Sequence, residues 1–248
     1  MVAVLLISGI LASGIGSMHI SPVQVFAILL DKCGLHIPVA YNEGMANVLI
    51  QIRLPRVSMG MMVGAGLAVS GAALQGLFRN PLADPGLIGI SAGASLAAVL
   101  FIVVLSAVPL LRFSSMLSQY YLLNIVTFAG ACISSLAVFR MARSGGKTMI
   151  ATLLLAGLAI NALCGAVTGL ITYTANDEQL RSVVFWTLGS LGGASWKSVL
   201  ALSPFILLPL VLMPFLGRAL NAGALGEAEA LYLGINIKKL KRRIIILS

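Results

Sequence analysis

Long apolar runs without charge recur along the chain, each of about the 20 residues that a helix needs to cross a bilayer. Five runs contain no Asp, Glu, Lys or Arg: residues 57–78, 87–108, 120–139, 149–175 and 198–216. A shorter apolar run occupies residues 2–15, and a further one begins at Ile244. The pattern predicts an all-α, polytopic transmembrane helical bundle of about six full spans with the start of a seventh.

The first apolar run has two interpretations. Ala12, Ser13 and Gly14 are small enough to form the cleavage site of a signal peptide. A signal peptide also carries a positive region before its apolar part, but here no basic residue precedes Lys32. We therefore favour a transmembrane helix, with a cleaved signal as the alternative.

Small residues at a spacing of four form rows within the runs. The rows are Gly60, Gly64, Ala68, Ala72 and Gly76; Gly89, Gly93 and Ala97; and Gly157, Asn161, Gly165 and Gly169. Such rows let backbones approach closely where lipid provides no hydrophobic drive between helices. We predict helix packing through them, and we expect intramembrane polar residues such as Thr127 and Asn161 to bond neighbouring helices.

The composition agrees with a lipid environment. Hydrophobic residues make up 59% of the 248 residues and charged residues only 9%, whereas an ordinary soluble domain carries about 25% charged residues. A single soluble core of this length could not bury so much apolar surface. The chain is therefore expected to be an integral, multi-pass membrane protein.

The net charge of +9 is explained by membrane topology. When alternate loops are assigned to opposite sides, one side collects Arg79, Arg140, Arg143, Lys147, Arg218, Lys238, Lys239, Lys241, Arg242 and Arg243. The positive-inside rule makes that side cytoplasmic. Residues 31–56 and 176–197 are then outside, and nucleic acid is not an expected partner.

Side chains for membrane-embedded chemistry are missing from the five runs. None contains an acid or a histidine, which argues against catalytic residues and against coupling to an ion gradient. The three cysteines are far apart, and His19 and His36 lack ligand neighbours at suitable spacing, so we expect no metal or cofactor. Residues 145–148, G-G-K-T, resemble the end of a P-loop, but Met141 replaces its first glycine and a basic turn is favoured.

The segment after residue 78 reads as a helix break followed by a new helix start. Asn80-Pro81 ends the preceding helix, Asp84 can cap the next one, and Pro85 can take its first position. On physical grounds alone, a plain connection between two helices would explain this turn as well as a functional element would.

Three motifs around this turn resemble one known family. They are R-L-P-R at 53–56, A-x-S-G-x-x-L-Q-G at 68–76 and R-N-P-L-A-D-P-G-L-I-G-I-S-x-G-A at 79–94. The chain resembles the FecCD-type permeases, the inner-membrane subunits of ABC importers for iron-siderophore complexes, haem and cobalamin. The resemblance implies a ten-helix type II permease, of which residues 1–248 would be a single transmembrane permease domain shortened at both ends, with C-terminal helices missing.

The resemblance also assigns roles to matching residues. It implies that Arg53 and Arg56 receive carboxylates of the binding protein, and their spacing of three allows a shared face of planar donors; interfacial snorkelling is the alternative. It implies a cytoplasmic gate at Asn80, Pro81 and Leu82. It further implies ATPase coupling in the cytoplasmic segment 216–243, through Gly226, Glu227, Ala230, Leu231 and Gly234.

The coupling segment has its own physical pattern. Its apolar residues Leu225, Ala228, Leu231, Tyr232 and Ile235 fall at helical spacing, which predicts a short amphipathic helix that Gly234 terminates. Such a helix could instead lie on anionic lipid.

The implied partners are an ATP-binding cassette subunit, a periplasmic or lipid-anchored substrate-binding protein, membrane lipid and a second permease subunit, favoured as an identical copy. The implied cargo is haem or a ferric siderophore, with cobalamin less favoured. Two alternatives stay open: a partial or non-functional permease, and an ATP-independent secondary transporter or channel.

Overall fold

The structure, a computed structural model, describes residues 2–81, 83–104, 116–144, 147–148 and 150–247. Its helices are α1 (Val2–Gly14), α2 (Pro22–Lys32), α3 (Glu43–Val48), α4 (Leu54–Phe78), α5 (Ile90–Val99), α6 (Met116–Met141), α7 (Ile150–Tyr173), α8 (Asp177–Leu188), α9 (Trp196–Leu225), α10 (Glu227–Tyr232) and α11 (Ile237–Leu247). The π-helical segment Leu49–Arg53 joins α3 to α4, a second one, Leu100–Val104, extends α5, and the 3₁₀ turn Pro85–Ile88 precedes α5. The predicted all-α bundle is confirmed.

Four described helices are long and apolar enough to cross a membrane: Glu43–Phe78, Tyr121–Met141, Ala151–Tyr173 and Trp196–Leu225. They correspond to four of the five predicted uncharged runs. Two further apolar helices, Ala3–Gly14 and Ile90–Val104, are shorter over the described residues, and at about 1.5 Å per residue these described lengths do not reach the ~30 Å of a bilayer core. The first predicted span is therefore a short helix, and residues 105–108 of the run 87–108 lie outside the described residues.

The start of α5 at Ile90 follows from the turn before it. The Asp84 carboxylate accepts a hydrogen bond from the Gly86 N–H at 2.7 Å, and Pro85 takes the first helical position, as predicted. Gly89 then adopts a left-handed conformation, with φ of +81°. Because this conformation ends the 3₁₀ turn, the α-helix begins at Ile90, three residues after the start of the uncharged run 87–108.

The segment 216–243, which the sequence predicts to be cytoplasmic, differs in structure from its predicted form. The helix expected to end near Leu216 continues to Leu225 and is stopped at Gly226, whose φ is +153°. A single charge, Arg218, does not interrupt the helix because its long side chain is exposed. Beyond it, α10 ends at Tyr232, and Gly234 adopts a φ of +77°, which confirms the predicted termination.

The chain forms two compact units. One consists of Met1–Gly66 with Leu191–Leu210, and the other of Leu67–Ser190 with Val211–Ser248. The first has a buried core of Ile20, Val25, Ile28 and Leu49. The second has a larger buried cluster that includes Leu74, Ile88, Val138, Leu153 and Ile244. The single-domain assignment of residues 1–248 stays a prediction.

Backbone approach through glycine occurs at only some predicted positions. A Cβ on Gly93 of α5 would lie 2.3 Å from the Ser134 Cβ, and a Cβ on Gly130 of α6 would lie 2.3 Å from the Ala97 Cβ. By contrast, a Cβ at Gly64, Gly165 or Gly169 would have no described atom within 4 Å. A Cβ at Gly60 would make only an ordinary contact with Leu191 at 3.4 Å, and Ala68 is exposed. Close packing is therefore found on the α5 row and at Gly157 of the α7 row, whose Cβ would lie 1.8 Å from the Leu87 oxygen, and packing through the other positions stays a prediction.

Two of the P-loop-like residues, Lys147 and Thr148, belong to a short antiparallel strand pair. Arg143 and Ser144 pair in antiparallel register with Thr148 and Lys147, while Gly145 and Gly146 lie outside the described residues. A P-loop instead connects a buried strand of a sheet to a helix. The arrangement agrees with the turn that the sequence favours.

Candidate functional site

Arg53 is buried at the predicted outer end of the first unit, with only 8% of its surface exposed. Its Nη1 donates hydrogen bonds to the backbone oxygens of Ser13 at 2.9 Å and Gly14 at 2.7 Å, and its Nη2 donates to the oxygen of Met18. Ser13 and Gly14 end α1, where helix carbonyls lack intrahelical partners and a positive charge is favourable. Arg53 is therefore a C-terminal cap of α1.

The backbone explains why Arg53 points inward. Pro55, in the first turn of α4, has no N–H with which to continue the regular helical hydrogen bonds. The residues just before it form the π-helical segment, whose last bond runs from the Leu54 N–H to the Leu49 oxygen. The wider turn changes the helical register at Arg53.

Arg56 is exposed in the first turn of α4, and its Nη2 donates to the Gly192 oxygen at 3.3 Å. The two arginines therefore do not form the shared exposed face that their spacing predicts. The π-helical segment changes the direction of Arg53, and its guanidinium bonds the carbonyl oxygens at the end of α1 instead of facing solvent. Docking of a binding protein at these residues stays a prediction. Sequence reasoning also missed Trp196, whose indole N–H donates to the Ile50 oxygen at 2.9 Å and ties α9 to the π-helical segment.

A small polar group lies between α2 and α3 on the predicted outer side. The Asp31 carboxylate accepts a hydrogen bond from the Tyr41 hydroxyl at 2.5 Å and contacts Nδ1 of His36. The bond from Tyr41 is the main reason that the pKa of Asp31 lies below its ordinary value, and the same bond raises the pKa of Tyr41. Within the described ranges, no three His, Cys, Asp or Glu side chains converge as a metal site would require.

The predicted gate is part of the turn between α4 and α5. Arg79 ends α4 in the left-handed region, with φ of +51°, a conformation that is uncommon for a residue other than glycine. The Asn80 N–H donates to the Gln75 oxygen at 3.2 Å, and the Ala83 N–H donates to the Asn80 oxygen at 3.1 Å. Pro81 is exposed, and Leu82 lies outside the described residues.

Two side chains from other helices hold the end of this turn. Ser134 Oγ of α6 donates to the Gly89 oxygen at 2.7 Å, and Asn161 Nδ2 of α7 donates to the Gly86 oxygen at 3.0 Å. Asn161 was predictable as an interhelical donor, although its acceptor was not, and no pattern in the sequence indicated Ser134. The corresponding expectation for Thr127 is wrong, because its hydroxyl bonds to the Asn124 oxygen of its own helix at 3.0 Å.

The predicted coupling segment presents apolar side chains at its tip. Within α10, Ala230 is fully buried, whereas Leu231 and Tyr232 are 62% and 92% exposed. The Gly234 N–H bonds to the Leu231 oxygen and the Ile235 N–H bonds to the Ala230 oxygen, so the end of the helix is closed. Gly226 is buried at the start of the segment. Glu227 is the first residue of α10, and its side chain is outside the description.

Comparison with known proteins identifies the family. A profile described as the FecCD transport family matches residues 4–248. The hemin transport system permease protein HmuU of Yersinia pestis is 46% identical over 84% of this chain and 60% of its own length. The cobalamin import system permease protein BtuC of Halobacterium salinarum is 37% identical over 82% of this chain and 52% of its own.

More distant similarity agrees with these matches. The iron(3+)-hydroxamate import system permease protein FhuG of Bacillus subtilis is 35% identical over 85% of this chain and 62% of its own length. A solved metal-chelate-type ABC transporter in an inward-facing conformation matches with a TM-score of 0.80 and 29% identity, over 99% of this chain and 70% of that one. The chain thus spans only 60% and 52% of the two relatives named first.

Proposed function

Because the chain belongs to the FecCD transport family, we propose that it is the permease subunit of an ABC importer that carries an organic iron complex across the inner membrane. The family match over residues 4–248 carries this proposal. We favour haem as the cargo because identity to the hemin permease, 46%, exceeds the 37% and 35% found for the cobalamin and hydroxamate permeases. A ferric siderophore is the second candidate.

The energy for transport comes from a separate subunit in this proposal. The five uncharged runs hold no acid or histidine for ion coupling. An ATP-binding cassette subunit therefore hydrolyses ATP, and the chain itself is not an enzyme. A second permease copy completes the path, which alternates between outward- and inward-facing states.

Cargo arrives from a substrate-binding protein on the outer side. Arg56 is the side chain that supports docking there, because its guanidinium is exposed and can pair with a carboxylate in bidentate geometry. Arg53 contributes indirectly, since its bonds to the end of α1 fix the segment from which Arg56 projects.

The function is tested by uptake into proteoliposomes. We expect haemin to accumulate when the chain is reconstituted with its ATPase subunit and haemin-loaded binding protein, and only when ATP is supplied on the ATPase side. Excess cobalamin should leave uptake unchanged. Haemin entry without ATP or partners would instead support a secondary transporter or channel. Failure of the complete assembly to carry either haemin or a ferric hydroxamate would contradict the proposal.

The coupling role of α10 is tested by a charge at its exposed tip. We expect Leu231→Glu to reduce co-purification of the ATPase subunit about tenfold or more, because an apolar contact would be replaced by a desolvated carboxylate. Thermal unfolding should hardly change, since Leu231 is 62% exposed. Leu188→Glu is the matched control, because Leu188 is 76% exposed at the end of α8 on the predicted outer side. Equal retention of the ATPase by both variants would contradict the role of α10.

A further inference from the structure

The turn that precedes α5 is attached to two other helices by side chains from each. Ser134 of α6 bonds the Gly89 oxygen at 2.7 Å, and Asn161 of α7 bonds the Gly86 oxygen at 3.0 Å. Ser134 is 7% exposed, so water does not compete strongly for its bond. The two attachments lie three residues apart, at the two ends of the last turn before α5.

Between these bonds, the backbone of α7 lies directly against the turn. A Cβ placed on Gly157 would come 1.8 Å from the Leu87 oxygen. A Cβ on Gly89 would lie 2.7 Å from Ser134 Oγ, and the φ of +81° at Gly89 disfavours other residues as well. The turn therefore contacts α6 and α7 through specific bonds and through backbone surfaces that only glycine permits.

Satisfaction of backbone polar groups does not explain the two donors. The Gly86 oxygen already accepts from the Gly89 N–H at 3.2 Å, and the Gly89 oxygen already accepts from the Gly93 N–H at 2.9 Å. Without Ser134 or Asn161, each oxygen would keep a partner. The extra bonds restrict where the turn sits rather than supplying a missing hydrogen bond.

Stability alone also does not explain an asparagine at position 161. Its Oδ1 is buried and has no hydrogen-bond partner among the described residues. A buried, unsatisfied amide oxygen is unfavourable, and an apolar side chain of similar size would avoid it. What the amide provides is the bond from Nδ2 to the turn.

We propose that Ser134 and Asn161 are positioning residues that fix the turn from Asp84 to Gly89 on α6 and α7, so that this turn moves with those helices during transport. The predicted gate residues Asn80 and Pro81 precede this turn by a few residues, and the Ala83 N–H, next to the turn, bonds the Asn80 oxygen at 3.1 Å. The inference rests on the proposed function, because a gate has meaning only in a transporter. The attachment itself can be measured without transport.

The first measurement is amide hydrogen exchange in the full chain, purified in detergent. In Asn161→Leu, which removes the amide at similar volume, we expect exchange in the peptide that spans residues 84–93 to rise about fivefold, as loss of one hydrogen bond predicts. Ser134→Ala should act in the same direction, and it adds no atoms to the close contact with Gly93. Ser135→Ala is the matched control and should leave exchange unchanged.

The second measurement is haemin carried per ATP hydrolysed in the assembled importer. We expect Asn161→Leu and Ser134→Ala to keep hydrolysis but to carry about fivefold less haemin per ATP, a ratio that a loss of stability alone would not change. Unchanged exchange in both variants would overturn the attachment. Raised exchange with an unchanged ratio would overturn its role in gating. If the unsubstituted assembly carries no haemin, the proposed function fails, and exchange still decides whether the two residues hold the turn.

Discussion

Arg53→Ala is expected to lower the free energy of unfolding by about 3 kcal/mol, whereas Arg56→Ala should leave it almost unchanged. The buried guanidinium of Arg53 bonds three backbone oxygens, two of them at the end of α1. Alanine would remove the guanidinium donor from the Ser13 and Met18 oxygens, would leave the Gly14 oxygen only its bond from the Ile20 N–H, and would open a cavity. Arg56 is exposed and bonds the Gly192 oxygen at a long distance of 3.3 Å. Its truncation to alanine therefore opens no cavity in the core.

Docking should show the reverse pattern. Arg56→Glu is expected to weaken association with the binding protein about tenfold or more, because a carboxylate would meet carboxylates. Arg53→Lys should retain docking and lose part of the stability, since one ammonium cannot replace a planar guanidinium that bonds several oxygens.

These effects are separated by two measurements on the same purified variants: thermal unfolding in detergent and surface-plasmon binding of loaded binding protein. Arg181→Glu provides the control, because it makes the same charge change at an exposed residue of α8 on the predicted outer side. If Arg53→Ala abolished docking without loss of stability, the division of roles between the two arginines would be wrong.

Substitution by alanine at two glycines of α7 should affect the free energy of unfolding differently. Gly157→Ala is expected to reduce the free energy of unfolding by about 2 kcal/mol, because its Cβ would lie 1.8 Å from the Leu87 carbonyl oxygen and the backbone would have to move. Gly165→Ala should be neutral or stabilising by up to about 1 kcal/mol, since no described atom lies within 4 Å of its Cβ and alanine favours the helix.

Unfolding of the two α7 variants by denaturant in mixed micelles provides this comparison within one helix. Similar destabilisation at both positions would mean that Gly165 packs closely after all, against a surface outside the described residues. A neutral Gly157→Ala would contradict the tight contact between α7 and the turn.

Local chemistry was predictable from the sequence where a few adjacent residues decide the conformation. The Asp84 cap, the helical position of Pro85 and the termination at Gly234 all depend on backbone preferences within one turn. The long uncharged runs likewise favour helices, because a helix of about 20 residues crosses a bilayer and satisfies its backbone hydrogen bonds within one segment. From these features, the positions of the turn between α4 and α5 and of the predicted coupling segment 216–243 can be read from the sequence.

Contacts between distant residues were not predictable in the same way. Small residues at spacing four identify a helix face that could pack, but they do not say which neighbour meets it, so Gly165 and Gly157 look alike in sequence. The burial of Arg53 depends on carbonyls of α1 that are 39 and 40 residues away. It also depends on a π-helical turn before Pro55, which the motif R-L-P-R does not reveal.

The π-helical segment has a consequence for the helical residues on either side of it. An inserted residue rotates everything that follows it by about 100° around the axis relative to an unbroken α-helix. The part before the segment turns Met45 and Ala46 toward the core of Ile20, Val25 and Ile28, whereas the part after it presents Arg56 to Gly192. The helix therefore has two angular phases, one on each side of the π-helical segment, and Pro55 sets the step between them.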